Sequence, residues 1–257
     1  MQLIDTHAHL TFPEIETQVE DVLARSREAG VDRWITIGTD PEQIEKTIEL
    51  ARRHDNMWAA VGVHPHHASE VDQPHLDRIR ELAADPKVVA IGEAGLDYHY
   101  ELSVRDKQKE VFRAQLQIAA DTNLPIVVHT RKAFEDSMEI LDEFAGKLKN
   151  VVIHCYSGTP EQTQQVLDRG FYISFTGIVT FKRTDDVREV AKMVPLDRMM
   201  IETDTPYISP EPVRKQKPNE PALMIHTAKL LANLHGLPLE TFAQKVTATS
   251  EKFFNLA

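Results

Sequence analysis

The sequence predicts a single (β/α)8 barrel, a TIM-type α/β fold with extra C-terminal helices, over residues 1–257. Three observations carry that reading. Eight short apolar runs alternate with longer amphipathic stretches from one end of the chain to the other. The runs are rich in Val and Ile and nearly continuous in hydrophobicity, as expected of parallel strands covered on both faces. The length of 257 residues matches the roughly 250 usual for such a barrel, and no linker, low-complexity tract or composition shift divides the chain.

In chain order the strand runs are Leu3–Ile4, Trp34–Ile37, Trp58–Val63, Val88–Ile91, Ile126–Val128, Val151–Ile153, Phe171–Ile173 and Met199–Ile201. Helical patterns lie between them. Val19, Val22 and Leu23 begin one, which Gly30 closes as the residue able to take a left-handed cap. Val111, Gln115, Ile118 and Ala119 give the spacing of three and four that predicts a helix over Gln108–Ala120. Asp40-Pro41 and Thr159-Pro160 each place a capping side chain before a proline at the first helical position. Ser209–Pro221 is a long Pro-rich, basic loop after the last strand, followed by helical segments at Ala222–Leu234 and Leu239–Phe254 that would cover the barrel. A doubly wound sheet would carry a Gly-rich phosphate turn after its first strand, where this chain has Asp-Thr-His-Ala-His.

Composition narrows the function classes. Apolar residues make up 42% and charged residues 27%, the balance of an ordinary globular chain. One cysteine, Cys155, excludes an intrachain disulfide framework and a cysteine-built zinc site. No run approaches the ~18 apolar residues of a membrane span. The first residues lack the basic and apolar regions of a signal peptide, so a cytoplasmic location is expected. Lys and Arg number 29 against 40 Asp and Glu, a net charge of −11 that argues against a protein coating nucleic acid. A monomer is compatible with all of this.

The chemistry-bearing residues gather where barrel enzymes place theirs, at the C-terminal ends of strands. Asp5, His7 and His9 end the first strand; His64, His66 and His67 the third; Glu93 and Asp97 the fourth. His129 and Arg131 end the fifth, His154 the sixth, and Glu202 and Asp204 the eighth. His7 and His9 are two apart, so an extended chain puts both on one face, where two imidazoles can hold one ion. Imidazole and carboxylate donors without thiolate suit Zn²⁺, Mn²⁺, Fe²⁺ or Mg²⁺. Four histidines and two acids exceed the three ligands of one open catalytic metal, and two metal ions sharing a carboxylate account for the surplus.

These residues resemble the TatD family of metal-dependent hydrolases, within the amidohydrolase-like group of metal barrels. The matching segments are DTHAHL (5–10), GVHPH (62–66), GEAGLDYH (92–99), PIVVHTR (125–131), IHCYSG (153–158), GFYISFTGIVTF (170–181), ETDTPY (202–207) and NEP (219–221). They run in the family's order over nearly the whole chain. The resemblance implies a TIM-type barrel, two divalent metal ions (Mg²⁺, Mn²⁺ or Zn²⁺), and a deoxyribonuclease or 3′–5′ exonuclease that cleaves phosphodiester bonds by a metal-activated water. By position it implies that His7, His9 and Asp204 ligate the first metal, that Glu93 bridges, and that His129 and His154 ligate the second. Asp204 and Glu93 would be the catalytic carboxylates, with Asp204 taking the water's proton. His64 and Arg131 would face the substrate. The last loop departs from the family: many relatives carry a Gly-containing basic run before NEP, and this chain reads PVRKQKPNEP.

Two divalent ions against Glu93 and Asp204 leave a local charge of about +2, enough to attract a phosphate to an otherwise acidic protein. The resemblance makes nucleic acid, DNA first, the expected substrate. Ester, lactone or amide hydrolysis, including deacylation of aminoacyl-tRNA, is the alternative, and a non-enzymatic binding protein a third. The remaining candidates read as structural. Lys182 and Arg183 read as solvated charge; Cys155, Tyr98, Tyr156 and Tyr207 as packing; His66, His67, His75 and His99 as loop residues without partners; His226 as helix surface or packing. Asn219 and Glu220 read as anchors of their loop, and Glu202 as a group behind the site that orients a ligand.

Overall fold

The two-residue Leu3–Ile4 run opens into a six-residue strand, β1 (Leu3–Ala8), buried at every position. The other strands are β2 (Val31–Gly38), β3 (Met57–Val61), β4 (Val88–Asp97), β5 (Ile126–Arg131), β6 (Val151–Ile153), β7 (Tyr172–Phe175) and β8 (Met199–Ile201). All eight predicted runs are strands. They follow chain order in one eight-stranded sheet, the strand order of a (β/α)8 barrel. The structure is a computed structural model and describes residues 2–256.

The helices are α1 (Pro13–Glu16), α2 (Val19–Glu28), α3 (Pro41–Arg52), α4 (Gln73–Leu82), α5 (Arg105–Thr122), α6 (Phe134–Asp142), α7 (Pro160–Asp168), α8 (Asp185–Met193), α9 (Met224–Leu234) and α10 (Leu239–Phe254). The sequence signals act where they were read. Asp40 accepts from the N–H groups of Glu42 and Gln43 at the start of α3. Thr159 and Gln162 form a reciprocal capping box on α7. Gly30 follows α2 with φ of 86°, in the left-handed region.

The chain falls into two compact units, Met1–Thr36 with Cys155–Ala257, and Ile37–His154. In the first, β1 pairs in parallel with β2 and β7 with β8, while Ala8 bridges to Thr205 just beyond β8. There α10 packs on β1, β8 and α9, and its Phe242 and Phe253 are fully buried. In the second, β3, β4, β5 and β6 pair in parallel, in that order. Its helix α5 clasps two strand ends through glutamines one heptad apart. Gln108 accepts from the N–H of Asp97 and donates to its carbonyl, and Gln115 does the same for Val63. Both glutamines are fully buried, so their amides have no water to return to. Each unit therefore ends in strand termini that are pinned at the level of the backbone.

Candidate metal centre

The first unit assembles its cluster from β1 and the segment after β8. Asp5, fully buried, accepts from the Thr203 hydroxyl at 2.5 Å, the Thr203 N–H at 3.0 Å and the His7 N–H at 3.3 Å. Burial pushes the Asp5 carboxyl up to about 7, against the pull of those Thr203 and His7 donors. Two further backbone bonds stitch the segments together: Asp204 N–H to the His7 carbonyl at 2.9 Å, and His9 N–H to the Thr205 carbonyl at 2.8 Å. Asp204 itself takes a φ of 57°, in the left-handed region. The Nε2 atoms of His7 and His9 lie 3.3 Å apart. Asp204 Oδ1 is 3.8 Å from the first and 3.4 Å from the second. Phe12 stacks on the His9 ring at 4.5 Å.

The second unit centres its cluster on one carboxylate oxygen. Glu93 Oε1 lies 2.8 Å from His129 Nδ1, 2.8 Å from His154 Nε2 and 3.5 Å from His64 Nε2. His154 Nε2 and His129 Nδ1 are 3.4 Å apart. The other nitrogen of His129 meets Asp97 Oδ2 at 3.1 Å, and His66 Nε2 reaches the same oxygen at 3.0 Å. Asp97 Oδ1 accepts the N–H groups of His99 and Tyr100, both at 2.9 Å. Burial raises the Asp97 carboxyl, but the hydrogen bonds from His129, His66 and Tyr100 outweigh it and hold it well below the usual range. Burial likewise lowers His129, and its bonds to Asp97 and Glu93 reverse the sign, so its imidazolium is favoured.

The donor chemistry in both places fits divalent cations. The first cluster offers two imidazole nitrogens and one carboxylate oxygen, all within 4.8 Å of one another; His64, Glu93 and His129 offer another such set. Two buried imidazole nitrogens aimed at one carboxylate oxygen are a ligand set for a hard or borderline ion. Asp97 reaches the second set from behind and orients the His129 ring through its other nitrogen.

The sequence assignments fare unevenly by position. His7, His9 and Asp204 come together, as do Glu93, His129 and His154. His64, read as facing substrate, lies against Glu93 within the second cluster. Arg131 ends β5 and is exposed, its guanidinium 4.8 Å from the Tyr100 ring centroid. Glu202 accepts from Cys155 N–H and the Ser174 hydroxyl, both at 2.7 Å. Asn219 donates to the carbonyls of Thr203 and Tyr207, and Glu220 takes a bidentate ion pair from Arg25, so both anchor their loop. Tyr98 bonds Asp136 and Tyr156 is buried, as packing residues would be.

Three readings need correction. His66 has a partner in Asp97, and His75 caps α4 with Asp72. His67 pairs with Glu70. Tyr207 packs edge-on near His9 and Phe12 as read, with its ring half exposed. Asp97 was visible as a strand-end acid but not as the anchor of His129. The signal was there in GEAGLD, where Glu93, Gly95 and Asp97 fall on one face of an extended chain. Asp97→Asn is expected to weaken metal affinity at the second cluster by about 10–100-fold, since His129 loses its fixed orientation. Metal titration read by calorimetry, with the first cluster's affinity as internal control, checks this.

Comparison with known proteins agrees with the geometry. The family described as TatD related DNase matches residues 4–255. The metal-dependent hydrolase YabD of Bacillus subtilis (strain 168) is 39% identical over 254 residues, covering 99% of each chain. The chain belongs to the TatD related DNase family. Another TatD relative, the 3′-5′ ssDNA/RNA exonuclease TatD of Escherichia coli (strain K12), is 36% identical over 259 residues, covering 99% of this chain and all of that one. Among solved structures, the TatD homologue YJJV of Escherichia coli K12 superimposes with a TM-score of 0.93 at 28% identity, covering 99% of this chain and 98% of that one. This chain is thus a TatD-family metal-dependent hydrolase with a TIM-barrel fold. No helix among the described residues is long and apolar enough to cross a membrane.

Proposed function

We propose that this chain is a cytoplasmic 3′–5′ exonuclease acting on single-stranded nucleic acid, DNA first, with two divalent ions. The observation that carries the reading is the pair of His and carboxylate clusters, each drawn from strand ends of its own unit. His7, His9 and Asp204 would hold one ion; Glu93, His129 and His154 the other, with His64 beside them. Bound ions would supply Lewis acidity toward a phosphodiester oxygen and lower the pKa of water. The full-length similarity to an exonuclease supports phosphodiesters as the substrate class. One free cysteine, Cys155, suits a reducing compartment.

The protein's own groups then divide the work. Asp204 is the one carboxylate of the first cluster, its side chain is 14% exposed, and it orients the attacking water and accepts its proton. His7 lies within β1 and Phe12 stacks on the His9 ring just beyond it, so both imidazoles are positioned before substrate arrives. Glu93 and Asp97 keep the second cluster's imidazoles oriented. Arg131, at the end of β5, contacts phosphate beyond the scissile bond.

The test is cleavage of end-labelled single- and double-stranded DNA and RNA across Mg²⁺, Mn²⁺ and Zn²⁺, beside a panel of esters and lactones. Stepwise shortening of single strands from the 3′ end is expected. Metal-loaded protein that leaves every phosphodiester intact overturns the proposal, and ester turnover in its place selects carbonyl hydrolysis.

A further inference from the structure

The segment that carries Asp204 continues directly into the wall of a cavity of about 650 Å³, a volume suited to a nucleotide-sized ligand. Tyr207, Phe181, Arg214, Lys217 and Glu14 line it. Tyr207 donates its N–H to the Asp204 carbonyl at 2.8 Å, so the cavity wall and a metal-cluster residue share one turn. The Tyr207 ring is half exposed, and its centroid lies 6.3 Å from the His9 ring and 6.2 Å from Phe12.

Some arginines of the chain pair with carboxylates, and others, Arg131 and Arg214 among the described residues, lie over an aromatic ring without such a pair. Arg25, Arg33, Arg78 and Arg113 all have carboxylate partners. Among the described residues, Arg214 and Lys217 form no ion pair. Arg214 instead lies over Phe181, its guanidinium carbon 3.8 Å from the ring centroid. Both residues also line an adjoining cavity of about 720 Å³ with Lys182, Lys215 and Glu211. Glu14 is the single acid of the first cavity, so an anion is favoured on the Arg214–Lys217 side and a donor, such as a base amine or sugar hydroxyl, on the Glu14 side.

We infer that this cavity is a nucleotide subsite in which an unpaired base stacks on Tyr207 while Arg214 and Lys217 receive the adjoining phosphodiester. The inference rests on the phosphodiesterase reading and deepens it. A base must leave its partner to enter a cavity of this kind, so the subsite selects single strands. Stacking on an aromatic face is tolerant of base identity, so little sequence preference follows.

Equilibrium titration of the metal-loaded full chain with a phosphorothioate-linked hexadeoxynucleotide carrying 2-aminopurine, whose linkages resist turnover, reads the subsite through base fluorescence. The wild type is expected to quench the single strand and leave the same label unquenched in a blunt duplex. Tyr207→Ala should abolish the quench and raise Kd about tenfold, within the range for loss of one stacked base. Tyr207→Phe, which keeps the ring, should behave as wild type. Lys217→Gln should raise Kd at low salt and reduce the salt slope by about 0.7, the share of one single-strand phosphate. A wild type without quench, equal quench of duplex, or a Tyr207→Ala variant that binds and quenches normally overturns the subsite. Cleavage with Mn²⁺ is run in parallel. Cleavage without quench removes the subsite alone, whereas quench without cleavage keeps the subsite and removes the phosphodiesterase reading.

Discussion

Asp204→Asn is expected to lower phosphodiester turnover by about 10²–10⁴-fold, the range for loss of a positioned proton acceptor. The amide keeps the shape of the carboxylate and the oxygen that faces His7 and His9, but it cannot accept a proton. Thr203, Thr205 and the His7 carbonyl hold the segment through contacts that the substitution leaves in place. Metal content at saturating concentration should therefore be retained while the rate falls. Rates are to be compared at matched metal occupancy, measured by elemental analysis of the same samples. Near-normal turnover with full metal content would leave Asp204 as a ligand only and move the proton acceptor elsewhere. A loss of one metal equivalent together with activity would show that the carboxylate charge is needed for binding.

The second large effect is on the fold. Gly95 sits in β4 opposite His129 at φ of 142°, a backbone conformation that side chains rarely adopt. A Cβ added there would lie 2.0 Å from the His129 carbonyl oxygen. That neighbour is backbone, so the contact is relieved only by moving β5 or β4. Gly95→Ala should cost at least about 3 kcal/mol, combining the 1–3 kcal/mol of backbone strain with displacement of a paired strand. At this size, that is a fall of roughly 6–12 °C in Tm. Because the displaced residue is His129, the second cluster should weaken with it. Thermal unfolding followed by circular dichroism, with and without added Mn²⁺, checks both. A variant as stable as the wild type would mean that the two strands separate at little cost.

The fold was legible because a parallel barrel writes itself as apolar runs at strand spacing, and every run is a strand. The limits of β1 and β4 were not. Hydropathy stops at Ile4, yet pairing continues through Asp5 and Ala8, and the buried Asp5 carboxylate there is satisfied by Thr203 and the His7 N–H. A strand that ends in a functional site looks like a loop to any measure of hydrophobicity. Residue type, two-residue spacing and strand-end position picked out His7 with His9, and Glu93, as candidate ligands. The groups around them depend on tertiary contacts and have no local signature. Nothing in the spacing of His66 and Asp97 joins them, and nothing near Tyr207 tells that its ring is left half exposed beside a cavity. Sequence separation hides such pairs, since a lone histidine or tyrosine has many structural uses.

The two clusters also differ in how much of the chain each requires. His64, Glu93, His129 and His154 all lie inside the continuous unit Ile37–His154, whereas His7 and His9 must wait for Asp204, in a unit whose two parts are separated by that whole segment. During synthesis the chain emerges from its N-terminus and folds progressively. The set around Glu93 is therefore complete in sequence once residue 154 has been made, whereas the set around His7 needs residue 204 as well. The residues that would hold one ion are thus all present in the growing chain before Asp204 is made.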